Sequence, residues 1–354
     1  RASILPTMRC RTRETTDDEG ALSKRAKRQH SLPGSHSSHR RVTCGTGEAD
    51  VGVMIDSSDL LGDFAALRKR MDRDGYLFLK GFLHRDEVVR ARKSVLEDAA
   101  VPPSALKRSE VIIAKFPKLR LLDRQDIAYS EPVHKLLHHP KIIAFFSKFF
   151  ECKAVATTRY KWLRSVGAGE YTGVHIDKVY LGRGSKRLTT MWIPFGDIPM
   201  RLGSLCVSVG SHKAVETLIS EGKLERNAEI KSGKGSGADG GLDGCDEIEN
   251  EVQTAIAYVQ GSGGQKGDKT SSGWIATEPS KTPGVYSPKR SEGKWVSADF
   301  SMGDVAVVPL NTVHMSTTNC TEYWRISCDT RWQPASGPRD PLLKFSTHQV
   351  SSTN

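Results

Sequence analysis

The chain has 354 residues, 37% hydrophobic content, a mean hydropathy of -0.43 and a formal net charge of +11. These values suit a globular core with added polar segments, and no apolar run approaches the ~20 residues a membrane-spanning helix needs. Seven cysteines, an odd number with no C-x-x-C pair, argue against a disulfide framework or a zinc ribbon and favour a reducing, cytoplasmic compartment.

Residues 1–52 read as a disordered basic leader. Its first fifty residues hold ten Lys/Arg against six Asp/Glu and show little apolar periodicity. A basic leader containing Ser and Thr also suits a truncated organelle-targeting peptide, although Asp17-Asp18-Glu19 speaks against one. Order is expected to begin near Asp56. Leu60, Phe64, Leu67 and Met71 recur at helical spacing, and Asp74-Gly75 ends that helix. Tyr76-Leu77-Phe78-Leu79 reads as a short strand. A second helix is expected from about Arg85 and a third over Glu131–Phe150. After Lys153 the pattern turns strand-like, over Thr157–Arg164, Leu188–Ile198, Ser204–Val209, Trp295–Phe300, Val305–Leu310 and Arg325–Gln333. A Gly-rich stretch at about 225–273 reads as a flexible insertion, with a short helix around Glu247–Tyr258. Residues 337–354 form a tail. The main domain is therefore expected over 53–336: a helical N-terminal layer, then a β body of sandwich or jelly-roll type.

The chemistry centres on His175-Ile176-Asp177. On a strand, residues i and i+2 share a face, so both side chains reach one metal. A distant histidine would complete two imidazoles and a carboxylate, a set that leaves positions open on Fe(II). H-x-D alone is weak, since about one copy is expected by chance in a chain of this composition. A second copy, His84-Arg85-Asp86, sits where the second helix should start. Its acids there complement the helix dipole, and it is assigned to structure. His212 and the His138-His139 pair are likewise read as structural.

Specificity comes from the downstream motifs: Met191-Trp192-Ile193-Pro194-Phe195-Gly196-Asp197, then Gly203 to His212, then Gly303-Asp304 through Val313-His314, then Arg325-Ile326-Ser327. With the early Asp74-Gly75-Tyr76 to Leu83 segment, this ordered series resembles the phytanoyl-CoA dioxygenase (PhyH-like) family over about residues 55–335. The resemblance implies a double-stranded β-helix, the cupin-like jelly roll. It implies Fe(II), 2-oxoglutarate and O2 as cofactor and co-substrates, with ascorbate as an accessory reductant. His175, Asp177 and His314 match the family's metal ligands, and Arg325 matches the arginine that pairs with the distal carboxylate of 2-oxoglutarate. A planar guanidinium suits that bidentate contact. Ser316, Trp192, Tyr160 and Ser327 fall at positions suited to co-substrate contact. Retention of Asp177 favours hydroxylation or another oxidative outcome over halogenation.

The expected activity is hydroxylation of a C–H bond in a small organic or lipid-like molecule, with release of succinate and CO2. Two other readings stay open: a cupin-like binding or sensor protein, and an oxygenase acting on nucleic acid or protein. The scattered, mixed-sign basic residues read as a solvated surface, and no nucleic-acid motif accompanies them.

Overall fold

The structure is a computed structural model that describes residues 39–45, 47–107, 111–112, 119–157, 161–220 and 295–340. The expected insertion at 225–273 with its helix, most of the leader, most of the tail and Tyr160 lie outside the described residues.

The chain opens with two paired strands, β1 (Arg40–Cys44) and β2 (Gly47–Val53). This corrects the expectation that residues up to 52 lack order. Polar residues such as Arg41 and Glu48 point outward and pair at 2.6 Å, which hid the alternation. Cys44 and Val51 are buried in a core cluster with Trp295 and Met315. Helix α1 (Phe64–Asp74) comes next, capped by the Asp63 carboxylate, which accepts from the Ala66 N–H at 2.9 Å. It stops, as expected, at Gly75, whose φ of 77° is left-handed. Then come β3 (Leu77–Leu79) and α2 (Arg85–Asp98), with Asp86 and Glu87 in its first turn. The short β4 (Leu106–Lys107) and β5 (Val111–Ile112) pair with each other. The single helix expected over 131–150 is two, α3 (Glu131–Leu137) and α4 (Pro140–Phe150). Pro140 supplies no N–H and clashes with the preceding turn, so the chain breaks at His138-His139.

The β body comprises β6 (Ala154–Ala156), β7 (Trp162–Val166), β8 (Thr189–Pro194), β9 (Leu205–Ser208), β10 (Trp295–Ser297), β11 (Val305–Pro309), β12 (His314–Ser316) and β13 (Arg325–Pro334). Two short helices, α5 (Lys178–Leu181) and α6 (Ser211–Ser220), punctuate it. Two sheets result. The larger runs β3-β11-β8-β13-β6, with β7 also paired to β13. The smaller runs β1-β2-β10-β9-β12. Non-sequential neighbours joined mostly antiparallel are the mark of a jelly roll, with the helices on one side of the larger sheet.

Alternation along the larger sheet decides what each layer holds. Leu77, Leu79, Met191, Ile193, Val305, Val307, Ile326, Cys328 and Trp332 join the core shared with the helices. Phe78, Trp192, Ala306 and Val308 belong instead to a second cluster, shared with Leu205, Val207, Val296 and Phe300 of the smaller sheet and its neighbours. On β13 the face opposite Ile326, Cys328 and Trp332 carries Arg325, Ser327, Asp329 and Arg331, and every residue of that strand is buried. A buried face this polar is costly unless its groups serve one another or a ligand.

The helix layer is fastened by Phe146, fully buried and stacked on Trp332 with ring centroids 5.1 Å apart. Phe146→Ala is expected to destabilise the protein by about 3–5 kcal/mol, read as a lower denaturant midpoint at unchanged slope.

Candidate metal centre

His175 and His314 are brought together by backbone pairing. The His175 N–H donates to the His314 carbonyl at 2.9 Å, and the His314 N–H returns the bond at 3.0 Å. The bridge extends the free edge of β12 by one pair. His175 is thus extended, but Asp177 is not on the strand the sequence suggested. Its φ of -64° and ψ of -23° are helical, and it caps α5. The turn between them still lets both side chains converge.

Each imidazole is oriented by its own neighbourhood. His175 Nδ1 lies 2.8 Å from the Gly173 carbonyl, and His314 Nδ1 lies 2.9 Å from the Thr312 carbonyl. Each carbonyl accepts an Nδ1–H, which leaves the Nε2 lone pair pointing at Asp177. The two Nε2 atoms stand 3.9 and 3.7 Å from Asp177 Oδ1. Thr190 Oγ1 on β8 donates to the other oxygen, Oδ2, at 2.5 Å. One carboxylate oxygen is therefore held by the protein and the other is turned to the histidines. The three donor atoms lie within 4.8 Å of one another, and among the described residues they form the one such cluster of three or more acidic, His or Cys side chains.

Protonation favours metal binding. Burial, then the His314 and Arg164 charges, hold His175 well below the ordinary histidine range despite the pull of Asp177. Burial opposes ionisation of Asp177, but His314, Arg331, His175 and the Thr190 hydroxyl outweigh it and keep the carboxylate ionised. A neutral imidazole beside an ionised carboxylate is the ligand form a divalent cation needs.

Arg325 lies in the same cavity, 2% exposed, as do Trp192, Ser316, Arg164 and Asp329. Its Nη2 donates to Ser327 Oγ at 3.0 Å, and its guanidinium sits 5.7 Å from the Trp192 ring centroid. Among the described residues its buried Nε has no hydrogen-bond partner. Burial lowers its pKa to about 10, so it stays charged at neutral pH. Ser327 thus touches the arginine, while Ser316 Oγ accepts from the Thr172 N–H at 2.8 Å and steadies the segment leading to His175. Sequence reading missed Thr190, Arg164 and Asp329. The strand period that places Arg325 and Ser327 on one face also carries Asp329, and that signal was there to use.

The other histidines stand apart. His84 caps α2, with Nδ1 3.6 Å from Asp86 in a largely exposed pair. His212 Nε2 bonds the Asp72 carbonyl at 2.9 Å. His138 stacks on His134, and His139 caps α4 by accepting from the Lys141 N–H at 3.1 Å.

The phytanoyl-CoA dioxygenase (PhyH) family profile matches residues 71–327, most of the chain. The protein belongs to that family. Its fold is mainly β, of jelly-roll type. A curated relative, the 1-deoxypentalenic acid 11-beta-hydroxylase of Streptomyces exfoliatus, is 28% identical over 167 residues. That match spans 45% of this chain and 58% of the relative, so little more than half of the relative's length is matched. Among solved structures, the alpha-ketoglutarate-dependent epimerase SnoN of nogalamycin biosynthesis is 17% identical with a TM-score of 0.46, covering 79% of this chain and 84% of that one. EctD from S. alaskensis, solved with 2-oxoglutarate and 5-hydroxyectoine, is 15% identical with a TM-score of 0.43, covering 77% and 76%.

Thr190→Val should lower metal affinity about 10- to 100-fold, with Thr190→Ser restoring it, as read by anaerobic Fe(II) titration. In metal-free protein the folded His175 resists a proton that the unfolded chain accepts near the ordinary histidine value of 6.5. The unfolded state then binds more protons, so this stabilisation is complete above that value and is lost as pH falls below it. The melting temperature should drop over that range, and the drop should be smaller in His175→Gln.

Proposed function

We propose that His175, Asp177 and His314 hold Fe(II), and that Arg325 anchors the distal carboxylate of 2-oxoglutarate. We further propose that the protein hydroxylates a C–H bond of a small organic or lipid-like molecule, releasing succinate and CO2. The observation that carries this reading is the shared cavity. Two oriented imidazoles and one half-held carboxylate face a buried guanidinium whose Nε has no hydrogen-bond partner among the described residues. The fit is chemical as well as geometric. Two nitrogens and one carboxylate oxygen form the facial donor set suited to non-haem Fe(II), with positions left for a 2-oxo acid and O2. Bound iron, with 2-oxoglutarate and O2, supplies an oxidant able to break an unactivated C–H bond.

The chain's own residues do the rest. Gly173 and Thr312 fix the ring tautomers, and Thr190 confines Asp177 to one open oxygen. Ser327 holds the Arg325 fork in place, and its charge suits a carboxylate. Trp192 walls the arginine, and with Leu205 and Val308 it keeps the cavity apolar on one side. A complete donor set aligned with Arg325 supports turnover over a binding-only role. The curated relative's name, a hydroxylase of a small organic acid, supports a small-molecule substrate.

Adding Fe(II) and 2-oxoglutarate without oxygen should produce a weak metal-to-ligand absorption band in the green. Arg325→Gln should keep Fe(II) affinity but weaken 2-oxoglutarate binding at least about tenfold. A band of full strength in His175→Ala would sink the proposal.

A further inference from the structure

Two guanidiniums line the cavity, Arg325 and Arg164. Arg325 has its task, but Arg164 on β7 does not. Arg164 pairs in register with Ser327 across the β7–β13 ladder and lines the same cavity as the triad. Its Nε donates to Asp329 Oδ2 at 3.0 Å, and its guanidinium carbon lies 4.8 Å from the Trp162 ring centroid. Among the described residues, neither Nη atom has a hydrogen-bond partner. Its side chain is only 17% exposed, so bulk water does not fully serve that edge.

Asp329 does not balance this charge alone. Arg331, entirely buried, also approaches it, at 3.5 Å, and its guanidinium carbon lies 4.2 Å from the Trp162 ring centroid. A half-buried cation with an unused donor edge is costly unless an anion meets it. The same cavity is lined by the apolar Leu205, Val308 and Met315.

We propose that Arg164 is a substrate-recognition residue. Its unpaired Nη edge binds the carboxylate of an apolar organic acid, whose body lies against the Leu205, Val308 and Met315 wall. This assignment rests on the proposed oxygenase function and names the substrate class for it. Asp329 is then the positioning residue. By taking Nε it leaves the outward fork for the substrate, and the planar group matches a carboxylate with two parallel bonds.

The test uses full-length protein loaded with Ni(II) and 2-oxoglutarate, which prevents turnover. Octanoate and octanamide, matched in size and differing in charge, are titrated by calorimetry. Octanoate should bind about tenfold or more tighter than octanamide. Arg164→Gln should bring the ratio near one while 2-oxoglutarate affinity stays unchanged, and Arg164→Lys should keep much of the preference. Equal binding of the two probes to wild type, no binding of octanoate, or an Arg164→Gln protein that keeps its preference would overturn the proposal. Failure of the wild-type protein to bind 2-oxoglutarate at all, measured before either probe is added, would instead count against the oxygenase function.

Discussion

The centre depends on one reciprocal pair of backbone hydrogen bonds, His175 to His314 and back. The two residues are 139 positions apart in sequence, and neither ring approaches the other without that pairing. It holds the ring centroids 4.2 Å apart and lets each side chain's Nδ1 find a carbonyl two residues upstream in its own segment. The proposed metal ligands are therefore placed by strand pairing first and by side-chain identity second. Donors placed by main-chain bonds lose little freedom when a cation binds, which is the physical meaning of a preorganised site.

The two sheets divide the labour. The smaller supplies His314 and, by extension of its edge, His175; the larger supplies Thr190, Trp192 and the polar face of β13. Because side chains alternate across a strand, Ile326, Cys328 and Trp332 of β13 join the core shared with the helices, and on the opposite face Arg325 and Asp329 line the cavity. A helix packed through Phe146 on Trp332 thus stabilises the strand that carries the arginines. Core and site are the two faces of one strand.

Much of this was legible in the sequence, for reasons that differ by element. Val305–Leu310 and Leu188–Ile198 read as strands because apolar residues run between turn residues, and the structure forms strands within them, over Val305–Pro309 and Thr189–Pro194. Gly75 marked the end of the first helix because its left-handed φ suits no other residue as well. The opening hairpin was hidden because its outward residues, Arg40, Arg41, Glu48 and Asp50, are charged and overwhelm its few buried side chains in any average. The break between α3 and α4 was signalled by Pro140 but masked by the apolar periodicity on either side. At the centre, ordered motifs selected His175, Asp177, His314 and Arg325. Thr190 and Arg164 escaped because their roles depend on register across β8, β7 and β13, which no local pattern encodes.

The position of the proposed iron is the decisive quantity. Anomalous diffraction at the iron edge, from crystals grown with Fe(II) and 2-oxoglutarate under anaerobic conditions, locates it without reference to activity. One strong peak at bonding distance from His175 Nε2, His314 Nε2 and Asp177 Oδ1, with the distal carboxylate of 2-oxoglutarate on Arg325, is the predicted result. A peak bound elsewhere, or 2-oxoglutarate seated away from Arg325, would contradict it.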